Sequence, residues 1–461
     1  MGIRILVLVY LLIGVGYGFL LDDVCSTGNV CSCSQHGIYC DGKGLTEVPA
    51  FNIPGHQIDI RDILLRNNIL SVLKNNAFSS LQGHVKSMLD MDISHNNISV
   101  MEDTCFKGLE DKIFMLDLES NNLHAIPMAI TSLNRLSELS LSFNPIHVLD
   151  QNILSILGHT LSTFKLTLEQ FQRWPNGFRY LFVLKSLFIS KYNSTSIKNS
   201  DFHYMANMHL RTLAISNSPL EEFPVGICDI NELTHLDISK NSFTDRTKEF
   251  FDVCHTPQRN LIFLFMQSNH FGVFPDIGKT FPAIRILDFS DNNLNYISGE
   301  LTPMPALETL YLSSNNLVHF PSALSTLAPN VQSIYLHRNK IVDIGNADLM
   351  TFSHLENVFF DHNPLEYLAA SSFARNTVLH QIGLSDTKLL TVPCALTSLS
   401  YNSIYVDLYN TTLECDCRMS CLSQINLSKI RFSGHSQCTQ PNISVTDFIT
   451  TVIQANACAT K

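Results

Sequence analysis

One pattern, L-x-x-L-x-L-x-x-N-x-L, recurs along almost the whole chain and limits its possible folds more than any other feature. Leu136-x-x-Leu139-x-Leu141-x-x-Asn144-x-Ile146 is a clear copy, and Leu307-x-x-Leu310-x-Leu312-x-x-Asn315-x-Leu317 is another. Counted from the first apolar residue of each, fifteen units begin between Ile60 and Ser403, spaced 23 to 28 residues apart. A unit this small cannot bury its own apolar face, so the units must stack. The L-x-L core predicts a short strand with alternate side chains inward, so that Leu139 and Leu141 bury while Ser140 faces out. Successive strands then pair in parallel, about 4.8 Å apart, along one face. The ninth-position Asn turns inward, where its amide can serve backbone groups that would otherwise be buried unpaired. Segments such as Asn75, Ala77, Phe78 and Leu81 close the other side of the coil. Stacking also removes the need to divide 461 residues into about three globular domains.

Charge and composition narrow the partners. The chain has 30 Lys and Arg against 41 Asp and Glu, for a net charge of −11, which argues against nucleic acid as a partner. With 45% hydrophobic residues there is too much to bury for a disordered chain. At the N-terminus, Arg4 precedes an apolar run from Ile5 to Ile13, and Gly14, Gly16 and Gly18 supply small residues for cleavage. Residues 1–18 are therefore expected to be a signal peptide. No later stretch reaches the roughly 20 apolar residues needed to span a bilayer. The expectation is a secreted, extracellular glycoprotein with no membrane insertion. Five Asn-x-Ser/Thr acceptors agree with it: Asn97, Asn193, Asn410, Asn426 and Asn442.

These motifs together resemble the extracellular leucine-rich-repeat family, over roughly residues 25 to 458. The resemblance includes Cys25-x5-Cys31-x-Cys33-x6-Cys40, similar to that family's N-terminal cap, and Cys415-x-Cys417 leading to Cys438 and Cys458, similar to its C-terminal cap. It implies an α/β solenoid: a right-handed leucine-rich-repeat horseshoe of about fifteen units, with a concave parallel sheet and disulfide-capped ends. The implied organisation is a cap at 19–59, repeats at 60–413 and a second cap at 414–461. The implied pairings are Cys25–Cys33, Cys31–Cys40, Cys415–Cys438 and Cys417–Cys458. Caps have a physical reason of their own, because terminal units expose apolar edges.

Five cysteines remain. Cys228 and Cys254 are about one unit apart, as are Cys394 and Cys421, so both pairs are candidates for bridges between adjacent coils; a buried thiol is the alternative for each. Zinc at Cys415, Cys417 and Cys421 is less favoured than disulfides in a secreted chain. Cys105 precedes Phe106 as Ala77 precedes Phe78, which points to a buried small-residue slot, with an intermolecular bridge as the sharper alternative.

Third, fifth and seventh residues of each unit are expected to face out from the concave sheet. Two groups stand out there. Asp90, Asp92, Asp117, Glu119 and Glu138 lie on three adjacent strands, with Arg66 the nearest basic residue. Like charges side by side are destabilising, so either solvent, a basic partner surface or calcium must offset them; no loop motif for calcium is present. Tyr311, Tyr335 and Phe359 share the fifth position of three consecutive units, with Phe263 and Phe265 two units earlier and Asp288, His337 and Arg338 nearby. Exposed aromatics of this kind mark contact sites, although stacking across strands is a structural alternative. The units from Leu161 and Leu184 depart from the pattern, with Glu169 and Tyr192 at the ninth place. That stretch holds Trp174 and six basic residues (Lys165, Arg173, Arg179, Lys185, Lys191 and Lys198), read as scattered around the coil, with a basic patch for a glycan- or heparin-type partner as the alternative.

No nucleophile elbow, metalloprotease helix, phosphate loop or dinucleotide fingerprint occurs, so no catalysis, cofactor or metal is expected. The reading is non-catalytic recognition of another extracellular protein, a ligand or receptor ectodomain, across the concave face, in adhesion, guidance or immune recognition. The candidate binding residues are Tyr311, Tyr335, Phe359, Phe263, Phe265, Asp90, Asp92, Asp117 and Glu119. The alternatives are an innate-immune binder of microbial glycans or lipids, and a matrix-structural protein. The oligomeric expectation is a monomer or weak homodimer.

Overall fold

A computed structural model of the chain describes residues 30–53, 59–246, 254, 256–399 and 403–458. It contains two compact units, one of residues up to 170 with 177–184, the other of 171–176 with 185 onward. Each contains a run of parallel strands.

In the first unit the ladder runs through Gly37–Tyr39, Asp62–Leu64, Leu89–Asp92, Ile113–Asp117, Glu138–Leu141 and Thr163–Thr167. A short antiparallel strand, Ser32–Cys33, folds back on the first of these. In the second unit the ladder begins at Ser186–Ser190 and Thr212–Ser216. It continues through His235–Asp237, Phe263–Phe265, Ile286–Asp288, Thr309–Tyr311 and Ser333–Tyr335. Asn357–Phe359, Gln381–Gly383, Ile404–Asp407 and Ile430–Phe432 complete it. The pairing is in register with the repeat: fourth-position Leu264, Leu287, Leu310, Ile334 and Val358 stand side by side, all buried. Gly37–Tyr39 and Ile430–Phe432 lie outside the fifteen units, so both cysteine-rich ends add a rung to the ladder.

Where it is present, the inward Asn binds its coil to the one before it. Asn315 Nδ2 donates to the carbonyls of Phe289, one coil back, and of Leu312 in its own coil, both at 3.1 Å, while its Oδ1 accepts the Leu294 N–H at 3.0 Å. The same arrangement recurs at Asn121, Asn144, Asn292, Asn339 and Asn363. Where Asn is missing, hydroxyls stand in: Ser218 Oγ accepts the Tyr192 N–H at 2.8 Å, and Thr411 donates to Leu384 O at 3.0 Å.

The residue before this position has a signature of its own. In fourteen of the fifteen units the eighth residue adopts left-handed backbone, φ 50° to 58°, and none is glycine. Most are Asn, Asp, Ser, His, Lys or Arg, and Asn and Asp accept this region most readily. The exception is Leu168, which is buried, while the following Glu169 points out. Tyr192 and Trp174 both enter the core of the second unit: Trp174 stacks on Phe202 at 5.2 Å between ring centroids, meets Tyr192 edge-on at 5.7 Å, and donates to Tyr204 Oη at 3.1 Å.

Covalent links sit at both ends and once in mid-chain. Cys31 is bonded to Cys40, Cys228 to Cys254, Cys394 to Cys421, Cys415 to Cys438, and Cys417 to Cys458. Cys33 is also in a disulfide; Cys25, its expected partner, and the signal-peptide expectation lie outside the described residues. Cys105 is free and fully buried, close to the stacked Phe78 and Phe106, and burial pushes its thiol pKa up to about 12. A thiol so placed offers no surface for an intermolecular bridge, and the small-slot reading describes it.

The Asn ladder makes a graded prediction. Asn315→Ala leaves an N–H and carbonyls buried without partners, at a cost on the order of 3 kcal/mol. Asn241 donates equivalently, but its Oδ1 has no partner among the described residues, so Asn241→Ala should cost clearly less. Urea unfolding of the two variants measures the difference; equal losses would show that the acceptor side of the ladder contributes nothing.

Candidate functional site

The outward residues form columns because the strands pair in register, with one irregularity in the first unit at Leu89–Asp90. In the second unit the fifth-position column is Phe188, Ala214, Asp237, Phe265, Asp288, Tyr311, Tyr335, Phe359, Gly383 and Asp407. Tyr311 and Tyr335 are stacked, with centroids 4.4 Å apart and planes 13° from parallel, and Tyr335 stacks in turn on Phe359 at 4.8 Å and 11°. The expectation that these rings are exposed needs correction. They are half-buried, because each covers a face of its neighbour and leaves chiefly its edge and tip to solvent. Burial, reinforced by Tyr335 and Asp288, pushes the Tyr311 phenol up to about 12, so it stays neutral.

Phe263 and Phe265 occupy the same strand at the third and fifth positions. Phe263 lies flat on His235 of the preceding strand, centroids 4.2 Å apart, and burial lowers the His235 pKa. The stack joins the third residues of two consecutive units, which pair in register, and the missing sequence signal is that an imidazole can take the place of a ring there. At the other end the aromatic run stops at Gly383, where a Cβ would collide with the Asp361 carboxylate. Asp361 accepts the Ser385 N–H at 2.9 Å, and burial raises its pKa. His337 bonds Ser313 Oγ through Nδ1 at 2.9 Å, and burial lowers its pKa.

The fifth-position aspartates share one local bond. Asp237 accepts the Ser239 N–H, Asp288 that of Ser290 and Asp407 that of Tyr409, at 2.9 to 3.0 Å. The spacing D-x-[ST/Y] thus lets a carboxylate close the turn leaving the strand, a role independent of any ligand.

In the first unit, Asp92 stands opposite Asp117, and Asp62, Asp90, Met115 and Glu138 line the third column. Asp92 and Asp117 accept the N–H two residues on, at 3.0 and 2.8 Å. Arg66 is held by Asp41, with its Nε 3.0 Å from the carboxylate, and also reaches Asp92 at 3.8 Å. Burial raises the pKa of Asp90, Asp117 and Glu119, and the neighbouring acids add to it. Ser140, expected to face out, does stand in the outward column but is buried: a short side chain lies beneath its longer neighbours in register, Asp117 and Lys165.

The six basic residues of the irregular stretch fall at different places in the repeat. Lys165 is a fifth residue on a strand, Lys191 is in the left-handed turn, and Arg173, Arg179, Lys185 and Lys198 belong to neither column. All five glycosylation acceptors, Asn97, Asn193, Asn410, Asn426 and Asn442, are exposed. Among the described residues, no group of three or more His, Cys, Asp or Glu is placed to hold a metal ion, and no helix is long and apolar enough to cross a membrane.

Comparison with known proteins agrees with this geometry. Residues 87–146 and 260–317 match the leucine-rich-repeat family. Among solved structures, a leucine-rich-repeat protein of Leptospira interrogans superposes with a TM-score of 0.56, covering 80% of this chain and 95% of its own at 19% identity. The fold is a leucine-rich-repeat solenoid. The Toll protein of Drosophila, solved with Spatzle, matches with a TM-score of 0.55 at 18% identity, over 83% of this chain and 52% of that one. Osteomodulin of Bos taurus is 25% identical over 268 residues, 52% of this chain. The aligned stretch spans 58% of osteomodulin's length.

The raised acids of the first unit give a pH prediction. A carboxyl whose folded pKa lies above its unfolded value favours folding when protonated, so its charge destabilises the fold as pH rises through the folded pKa. Asp117→Asn keeps an oxygen for the Glu119 N–H and removes the charge. It should raise the thermal midpoint at pH 7, and the gain should shrink as pH falls into the ordinary carboxylate range. A gain independent of pH would locate the effect elsewhere.

Proposed function

We propose that this chain is a non-catalytic extracellular recognition protein that binds another protein through the outward sheet face of its second unit, in adhesion, guidance or immune recognition. The stacked run Tyr311–Tyr335–Phe359 carries the reading. Rings fixed against one another offer a rigid, amphipathic edge and lose little conformational freedom on binding, which suits an interface anchor. Phe263 and Phe265, two strands away, extend the surface.

Two further observations support it. Disulfides persist in oxidising compartments, and five are formed among the described residues, alongside five exposed glycan acceptors. Toll, which shares the fold, is solved in complex with Spatzle. The acidic columns of the first unit belong to the same reading as a surface that speeds encounter with a basic partner.

A binding screen tests the proposal. The purified chain and a folded Tyr311→Ala, Tyr335→Ala, Phe359→Ala variant are presented to a panel of extracellular proteins and microbial glycans. The expected result is a protein partner whose affinity falls by more than about 2 kcal/mol in the variant. A partner retained by the variant removes the aromatic run as the site. Glycan or lipid binding with no protein partner would replace the proposal with the innate-immune reading, and self-assembly alone with the matrix reading.

A further inference from the structure

The aromatic column has one interruption. Phe265, Asp288 and Tyr311 follow one another in register, so a carboxylate stands where the next ring would continue the run. The two rings that flank it are two strand spacings apart, about 9.6 Å from the usual 4.8 Å per rung. Tyr311 stacks on Tyr335 on one side, which turns its other face toward Asp288. The column thus places the Asp288 carboxylate between Phe265 and the side of Tyr311 that faces away from Tyr335, and this two-rung gap is the slot considered next.

The slot carries a carboxylate that no cationic side chain among the described residues pairs with. Asp288 Oδ1 takes the Ser290 N–H at 2.9 Å. Arg285, the nearest cation in sequence, is engaged with Glu308 through both Nε and Nη2 at 2.8 Å. The surrounding outward positions carry Asp237, Asp361 and Asp407 but no Lys or Arg, from the unit at Leu233 to the unit at Ser403. Burial raises the Asp288 pKa, which records a carboxylate short of solvation.

Resting on the protein-recognition reading above, we propose that this slot receives an arginine side chain of the partner, its guanidinium lying between Phe265 and Tyr311 with its N–H groups on Asp288. A guanidinium is planar and matches both features: it stacks on aromatic faces and donates a fork of hydrogen bonds to a carboxylate. A lysine ammonium satisfies the charge but not the stacking.

The test uses fluorescein-labelled hexa-arginine, hexa-lysine and hexa-glutamine peptides, with Kd read by fluorescence anisotropy at fixed salt. Asp288→Asn keeps the acceptor for Ser290 and so keeps the fold, which circular dichroism checks. Asp103→Asn, an exposed site in the first unit, removes the same charge away from the slot. Hexa-arginine should bind more tightly than hexa-lysine, hexa-glutamine should not bind, and Asp288→Asn should weaken hexa-arginine about tenfold, or about 1.4 kcal/mol. Asp103→Asn should change Kd by less than twofold. Equal effects of the two substitutions, or equal binding of the arginine and lysine peptides, would overturn the slot. Neither result touches the recognition reading, which depends on the partner screen with the aromatic variant.

Discussion

The coils of this protein bury the backbone of their turns, and in most of them an inward Asn makes that burial tolerable. A buried amide or carbonyl without a partner costs on the order of 1–3 kcal/mol. Asn315 serves three such groups at once, two of them in the preceding coil. One side chain therefore satisfies its own turn and fixes the spacing to its neighbour. The apolar positions supply most of the driving force, but they would pack in several registers; the directional bonds of Asn allow one. The register follows, and with it the outward columns.

The columns explain why the surface could be read before the structure. Once the unit boundaries are set, the fifth residue of one coil stands beside the fifth of the next, and Tyr311, Tyr335 and Phe359 come together in the order the repeat dictates. The acidic grouping of Asp92 and Asp117 was legible for the same reason. What the pattern could not convey was depth. Ser140 occupies an outward place and is buried, because exposure depends on the lengths of its neighbours rather than on its own phase. The aromatic rings are half-buried for a related reason, since each shields the next.

Two other features escaped the sequence for reasons that can be named. The rungs Gly37–Tyr39 and Ile430–Phe432 lie among the cysteines, where the leucine spacing is lost and only strand pairing reveals them. The left-handed eighth residue leaves a weak trace: polar residues dominate, yet Phe143 adopts the same backbone. Its absence at Leu168 is informative. There the apolar residue turns in and Glu169 turns out, which inverts the usual order and removes the inward amide from that coil. In the second unit, the coil of Tyr192 also lacks the inward Asn, and there Tyr192 turns inside with Trp174 packed against it. The irregularity is a change of core filling, and the basic residues around it follow the coil to different sides.

The same separation between fold and surface bears on function. Inward positions are bound by volume and by the Asn bonds, so Leu, Ile, Val and Phe recur there with little freedom. Outward positions are bound by neither, and a solenoid tolerates almost any residue at them. A run of three stacked rings is thus not required by the fold, nor is the aspartate that interrupts it. Stacking accounts for part of the run, since rings paired across strands stabilise a sheet. It does not account for Asp288, which breaks the stack and places a half-desolvated charge beside Tyr311. The turn bond from the Ser290 N–H calls for an acceptor at that place, which an Asn side chain also supplies. Burial disfavours the charged form of that carboxylate in the free protein, and a cationic group supplied by a partner, as proposed above, would offset it.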